Sequence, residues 1–305
     1  AVAIPAQAVH KKNRLLHGNL SVYHFTRKLR AMPMPNAPRR ASLHRRGSQA
    51  VLDVDDGSCP LTAEGQLDRI GSGFYLWVLV LTIGGASMAE SMEMGSVAPI
   101  HSALARTFGL SHSQRSALPL ITFGGSALGL LFSGPICDQQ GRKVVLQLSL
   151  LTIALVMFAT ASLPNDANNS FVLVLRFLSG FVSAVQAPAR CVLAVESSPK
   201  EYRSRVMFAI SLMEAIGTFL QALAVEYLMP YLGEASSDRW RTYCYVVGSA
   251  SLCTLPLMHW LQESPSFLAI NGDADGCVEA LNNIARMSGK PLISTEAAEQ
   301  MRQGG

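Results

Sequence analysis

The 305-residue sequence is poor in charge: Asp, Glu, Lys and Arg together make up 15% of it, against about 25% in an ordinary soluble domain. Acid is missing from its beginning, with none before Asp53, although Lys11, Lys12, Arg14, Arg27, Lys28, Arg30, Arg39, Arg40, Arg45 and Arg46 all precede it. The basic stretch lacks the interleaved aromatics and the folded basic domain of nucleic-acid binders, so no nucleic-acid partner is read from it. Six cysteines form no Cys-x-x-Cys pair and none has a histidine at zinc spacing, which removes a disulfide framework and a metal site. Cys137, Cys191, Cys244 and Cys253 instead fall in or at the edge of apolar segments, where cysteine acts as a small hydrophobe. Neither a catalytic triad nor a phosphate-binding loop is present, so no enzyme and no cofactor are expected.

What is present is uneven. Residues 1–73 are polar and basic, with Met32-Pro-Met-Pro-Asn-Ala-Pro38 and the acidic patch Asp53, Asp55 and Asp56, and are read as a disordered tail. Six apolar stretches follow, at Tyr75–Pro99, Ala117–Ile136, Val144–Leu163, Phe171–Val195, Val206–Leu228 and Thr242–Leu261. Each is about 20–25 residues long, enough to cross roughly 30 Å of hydrocarbon at 1.5 Å per residue. The second and third contain no charged residue. Soluble core helices are shorter and amphipathic, so residues 74–262 are read as a six-helix transmembrane domain. The connections Asp138–Lys143, Pro164–Ser170 and Lys200–Arg205 are too short for soluble domains, and consecutive helices must run antiparallel. Gly125-Ser-Ala-Leu-Gly129 is a GxxxG, the small-residue face that lets helices pack closely in lipid. In residues 263–305, Val278, Leu281, Ile284 and Ala285 recur at helical spacing, which predicts a short amphipathic helix stopped by Gly289 and Pro291.

The second connection reads Gly134-Pro-Ile-Cys-Asp138-Gln-Gln-Gly141-Arg142-Lys143. It resembles the signature of the major facilitator superfamily, a glycine followed by Asp-Arg-x-Gly-Arg-Arg/Lys, with Gln139 in place of the usual basic residue. Glu196-Ser-Ser-Pro-Lys-Glu-Tyr-Arg203 resembles the Glu-x6-Arg element of sugar-porter-like members. Glu263-Ser-Pro-Ser-Phe-Leu268 resembles their Pro-Glu-Ser-Pro-Arg-Trp-Leu motif, with Gln262 and Ser266 as departures. Gln66-Leu-Asp-Arg-Ile-Gly71, the pair Glu90/Glu93 and Leu175-Arg-Phe-Leu-Ser-Gly180 look like the synaptic-vesicle-protein-like and organic-ion branch. The resemblance spans about Gln66 to Leu292. It implies an all-α bundle of two inverted three-helix repeats forming the N-terminal half of a transporter. It also implies a cytoplasmic signature loop and therefore cytosolic termini, where basic-residue counting alone is nearly undecided. A gating network of Gly134, Asp138, Gly141, Arg142, Lys143, Glu196 and Arg203 is expected at that face, and residues 263–305 would begin the central loop.

Charged side chains inside a span cost about 2.5–3.5 kcal/mol on insertion scales and persist for a reason. Glu90 and Glu93 are three residues apart on one helix face, with Glu90 about 4–5 Å past the midpoint of the first stretch. Two such carboxylates cannot easily both ionise, so one is expected to hold a proton near neutral pH. Arg190 is a candidate partner for a carboxylate or an anionic substrate, and Glu214 a candidate opposing acid. For Glu93 the alternatives are a proton or cation site, a structural pair with Arg190, or contact with headgroup water. Arg176 is expected to snorkel to the interface. The function expected is secondary active or facilitative transport of a small organic solute by alternating access in a lipid bilayer, with a charged organic ion as the candidate solute and protons as the candidate coupling ion. A C-terminal six-helix half is expected as the missing partner. The rival is a non-transporting membrane protein of the same fold, acting in binding or trafficking; the presence of a second six-helix half in the parent transcript distinguishes the two.

Overall fold

A computed structural model describes residues 62–165, 168–228, 239–294, 297–299 and 301. The basic run between Lys11 and Arg46 and the acidic patch lie outside the described residues. The first helix, α1 (Ala63–Ile70), corrects the boundary of the polar tail, which was drawn at residue 73. Thr62 caps it by accepting from the Gly65 N–H, Gly71 ends it at φ 65°, and Leu67 and Ile70 are buried. Thr62, the 67/70 spacing and Gly71 are ordinary start, face and stop signals; polar neighbours had masked them.

The bundle itself comprises α2 (Phe74–Gly95), α3 (Val97–Thr107), α4 (His112–Gln140), α5 (Arg142–Ala161), α6 (Asn169–Glu196), α7 (Arg203–Leu228) and α8 (Arg239–Thr254). Two short helices follow a 3-10 turn at Pro256–His259: α9 (Pro265–Ile270) and α10 (Ala274–Met287). The helix anticipated after residue 274 is α10, with Val278, Leu281, Ile284 and Ala285 buried. No strand occurs among the described residues.

Three boundaries depart from the sequence expectation. The first apolar stretch is broken at Ser96, and α3 carries the chain on to Thr107. Pro99 explains the break, because it has no N–H to give and its ring would crowd the Gly95 carbonyl of a continuous helix. The connection at the signature is a single residue, since α4 runs through Gln140 and α5 begins at Arg142; Gly141 makes the turn at φ 91°. Among the described residues five helices, α2, α4, α5, α6 and α7, are long and apolar enough to span a bilayer. The sixth stretch is the 16-residue α8 followed by the 3-10 turn, where Pro256 stops the α-helix.

The helices pair with an internal symmetry. The most extensive contacts are α4 with α6 and α2 with α7, followed equally by α5 with α8 and α5 with α6. Superposing the first three spans on the last three carries the α2–α7 pair onto α6–α4 and returns α5–α8 to itself, the pattern two inverted repeats produce. Close approach of α4 and α6 rests on glycine: a Cβ at Gly125 or Gly129 would run into the Phe177 or Phe181 carbonyl, and one at Gly180 into the Thr122 carbonyl. Ser126 Oγ donates to Gly180 O across the same seam at 3.1 Å.

Apolar side chains also face outward. Trp77, Leu120, Phe123, Leu131, Phe208 and Phe219 are all more than half exposed, an arrangement water would not tolerate over a whole surface and lipid favours.

Candidate functional site

Two large apolar cores occupy the two ends of the bundle and a small third one, Cys137, Val145, Val185 and Ala189, packs beside them on α4, α5 and α6; the limits of the two large cores define a more polar seam. On α2 one core ends at Ala86 and the other starts at Met92; on α6 the corresponding residues are Leu193 and Val182. On α7, Ile210 belongs to one core and Ala224 packs against the other. Glu90, Arg190 and Glu214 fall in these three gaps.

The structure brings these three together. The Arg190 guanidinium forms an ion pair with Glu90, and its Nη2 lies 3.7 Å from Glu214 Oε2. Arg190 and Glu90 are largely buried, while the Glu214 side chain is 48% exposed, so one guanidinium joins an inner and an outer carboxylate. Glu93 takes a different partner from any of those expected. It is 1% exposed, its Oε2 accepts from Ser183 Oγ at 2.8 Å, and its Oε1 has no hydrogen-bond partner among the described residues. Glu93 therefore neither pairs with Arg190 nor reaches headgroup water. The two acids, three residues apart, both meet α6, Glu90 at Arg190 and Glu93 at Ser183.

Arg176 corrects a second expectation. It is 1% exposed rather than snorkelling, and Nη2 donates to Thr160 Oγ1 at 2.8 Å. Its place near the start of an apolar stretch points to an interface, but it lies inside the bundle, turned to Thr160 of α5. The buried charges of the seam thus gather Arg190 with Glu90 and Glu214, while Glu93 and Arg176 bond to Ser183 and Thr160.

The signature end holds a denser cluster. Arg142 lies 3.5 Å from both Asp138 and Glu196, and stacks over Phe267 at 4.4 Å. Ser264 Oγ donates to Glu196 Oε2 at 2.5 Å. Glu263, absent from the sequence-based gating set, organises the group: its carboxylate accepts from the backbone N–H groups of Arg142, Lys143 and Ser264 at 3.0–3.1 Å. An anion at a helix N-terminus satisfies donors that have no intrahelical partner. Gly141 is required there twice over, by its positive φ and because a Cβ would meet the Glu263 carboxylate. Lys143 contributes its backbone N–H to Glu263. Gly134 contributes nothing comparable; it lies inside α4 with open space beside it. Arg203 does not join the cluster. It donates to Glu64 Oε1 at 2.7 Å and to the Val195 and Ser198 carbonyls, tying α1 to the α6–α7 turn. Lys200 reinforces that tie through Glu64 and Asp68. The signal that could have found Glu263 was its motif; nothing in the sequence indicated that Arg203 would turn toward Glu64.

A bundle that faces apolar side chains outward, crosses a bilayer several times and keeps buried charge at its centre is a multi-pass membrane protein. The chain belongs to the Major Facilitator Superfamily, whose profile matches residues 79–295. It is 26% identical to the niacin transporter NiaP of Acinetobacter baylyi, over 78% of this chain and 52% of that protein. It is 29% identical to the synaptic vesicle 2-related protein of Bos taurus, over 81% of this chain and 45% of that one. The fold is similar to the xylose transporter XylE from E. coli in a partially occluded inward-open conformation. That match has a TM-score of 0.59 and 18% identity and covers 76% of this chain and 59% of XylE. The chain spans about half the length of the curated relatives it matches.

Proposed function

We propose that this chain forms the N-terminal half of a secondary transporter that moves a small charged organic solute by alternating access. The observation that carries the reading is the Glu90–Arg190–Glu214 arrangement between two apolar cores. Charges at that depth are costly unless they bind something, and Glu214 leaves one side of the arrangement open. Two carboxylates competing for one guanidinium form a site that can exchange partners. A proton or a substrate cation on Glu90 releases Arg190 to Glu214, and an anionic substrate on Arg190 releases both acids. Glu93, with one unsatisfied oxygen, is a second proton-binding candidate.

The Arg142–Glu196–Glu263 cluster is read as the inner gate, with Asp138 at its exposed edge. In this reading the cluster faces the cytosol, as do both termini, and the loop between α5 and α6 faces out. Impermeant thiol labelling of a single cysteine placed at Asn168 should proceed without permeabilisation; labelling only afterwards reverses the orientation. A C-terminal six-helix half completes the path, because a lone half would leave Glu214 and its neighbours against lipid. Proteoliposomes containing the protein with that second half should accumulate members of a labelled organic-ion panel. Residues 1–305 alone should not. Robust uptake by the monomeric 305-residue chain would overturn the two-half reading, and no uptake of any solute by the two-half protein would overturn transport.

A further inference from the structure

At the end of the bundle opposite Gly141, the start of α4 folds back against α3 through the turn at Gly109, whose φ is 57°. A cavity of about 280 Å³ opens between them, lined by Ala98, His101, Ser102, Arg106, Arg115 and Pro119. Its size is near the lower end of the range for small-molecule sites, roughly 300 Å³. The lining contains two guanidiniums and no acid. Neither Arg106 nor Arg115 has an ion-pair partner among the described residues. Arg241, at the same end, shows the alternative: it spends its guanidinium on the Ala161 and Leu163 carbonyls and on Asn165.

His101 makes this a built site rather than a surface crease. Its residue is 7% exposed, and its Nε2 lies 3.3 Å from Thr122 Oγ1. Thr122 Oγ1 already gives its proton to Leu118 O at 2.9 Å, so His101 Nε2 is the donor to Thr122 and the ring is held in place. Thr122 lies beside Gly180 on the tight α4–α6 seam, and the Arg176 charge reaches His101. The cavity thus sits one buried residue, Thr122, away from the α4–α6 seam.

We infer that this cavity is a capture site for a small organic carboxylate, held by Arg106 and Arg115 with its apolar part against Ala98 and Pro119. Arg106 and Arg115, both exposed, border one space and give it a positive potential that an anion would relieve, and the planar guanidinium fork matches a carboxylate. The proposal rests on the transport reading only for its purpose, since binding is measured without transport. It assigns the solute's charge as negative, the sign that Arg190 is placed to receive at the seam.

The test is ligand-observed NMR titration of benzoate, and of neutral benzamide as its isostere, on the 305-residue chain in nanodiscs. Benzoate should bind and benzamide should not. Arg106→Gln and Arg115→Gln should each weaken benzoate about fivefold, and the double variant about thirtyfold, as two partly exposed charge contacts would. Equal binding of the two probes, or wild-type affinity in the double variant, overturns the site. Competition by sulfate with equal strength would show an inorganic-anion site and overturn the carboxylate assignment. Uptake by the two-half protein that survives the double variant, with benzoate binding lost, would sink the site's part in transport and leave the transport reading intact.

Discussion

The two charged regions of this bundle use similar residues to opposite ends. At the signature end, Glu263 accepts three backbone N–H groups, Arg142 lies between Asp138 and Glu196 and also stacks on Phe267, and Glu196 accepts from Ser264. At the seam, Arg190 serves two carboxylates at once and Glu93 keeps one oxygen without a partner. The signature network is the better satisfied of the two, although Arg142 Nε has no hydrogen-bond partner among the described residues, and a well-satisfied network holds one arrangement and resists change. An under-satisfied one has somewhere to send a proton or a ligand. The contrast separates the region that fixes a conformation from the region that responds to what binds.

The strongest way to break that contrast is at Glu263. Removing its carboxylate strands the N-terminal donors of α5, and charged hydrogen bonds are worth about 1.5–3 kcal/mol each. With overlap among the three, Glu263→Ala should cost about 3 kcal/mol or more, read as a large fall in thermal unfolding temperature in detergent. Glu90→Ala should change that temperature far less. Equal losses at the two sites would erase the distinction.

Helix packing gives an effect of similar kind and somewhat smaller size. Gly125→Val would drive a side chain into the Phe177 carbonyl, and overpacking costs about 1–3 kcal/mol. Gly124→Ala and Gly134→Ala meet open space and should be neutral or slightly stabilising, by up to about 1 kcal/mol, because alanine is the better helix former. The same unfolding measurement checks all three.

The inner cluster itself can be pushed without unfolding the bundle. Glu196→Arg places a second cation beside Arg142 and removes the Ser264 acceptor, so the balance should shift toward the inward-open state. Cysteine accessibility from the inner side reads the shift, and unchanged accessibility removes the gating role. The smallest effect is expected at Arg203→Ala. Its partner Glu64 is 41% exposed, and such pairs contribute less than about 1 kcal/mol.

The two least buried spans make a further comparison. Within their most apolar windows, 28% of α4 and 22% of α7 is buried, against 56% for α2, α5 and α6. By the internal symmetry α4 and α7 are equivalent, so the open faces are equivalent too. That is where the proposed second half would lie.

The bundle was legible in the sequence because lipid imposes length and apolarity that few other folds share. Five of the six stretches are helices long enough to span, and the GxxxG lies at a true close approach. Breaks within the helices were less legible. Pro99 marks the kink at Ser96, but Pro119 and Pro135 sit inside an unbroken α4, so proline alone does not say which will break. The grouping of Glu90, Arg190 and Glu214 could be proposed from depth along each helix. Partner choice could not, because it depends on helix rotation: Glu93 meets Ser183, and Arg203 meets Glu64. Short capping elements such as α1 carry only local signals, which a polar context obscures.

The central claim is that the seam is the working site, and Glu90 is where it is most exposed to test. Glu90→Gln keeps the shape of the side chain but can neither release a proton nor pair ionically with Arg190. In the protein with both halves reconstituted in liposomes, uphill uptake driven by a proton gradient should be lost while solute exchange persists, if Glu90 carries the coupling proton. If Glu90 meets a cationic group of the solute, both should fall together. Wild-type uptake with wild-type pH dependence in this variant would contradict the account and leave Glu90 a structural residue.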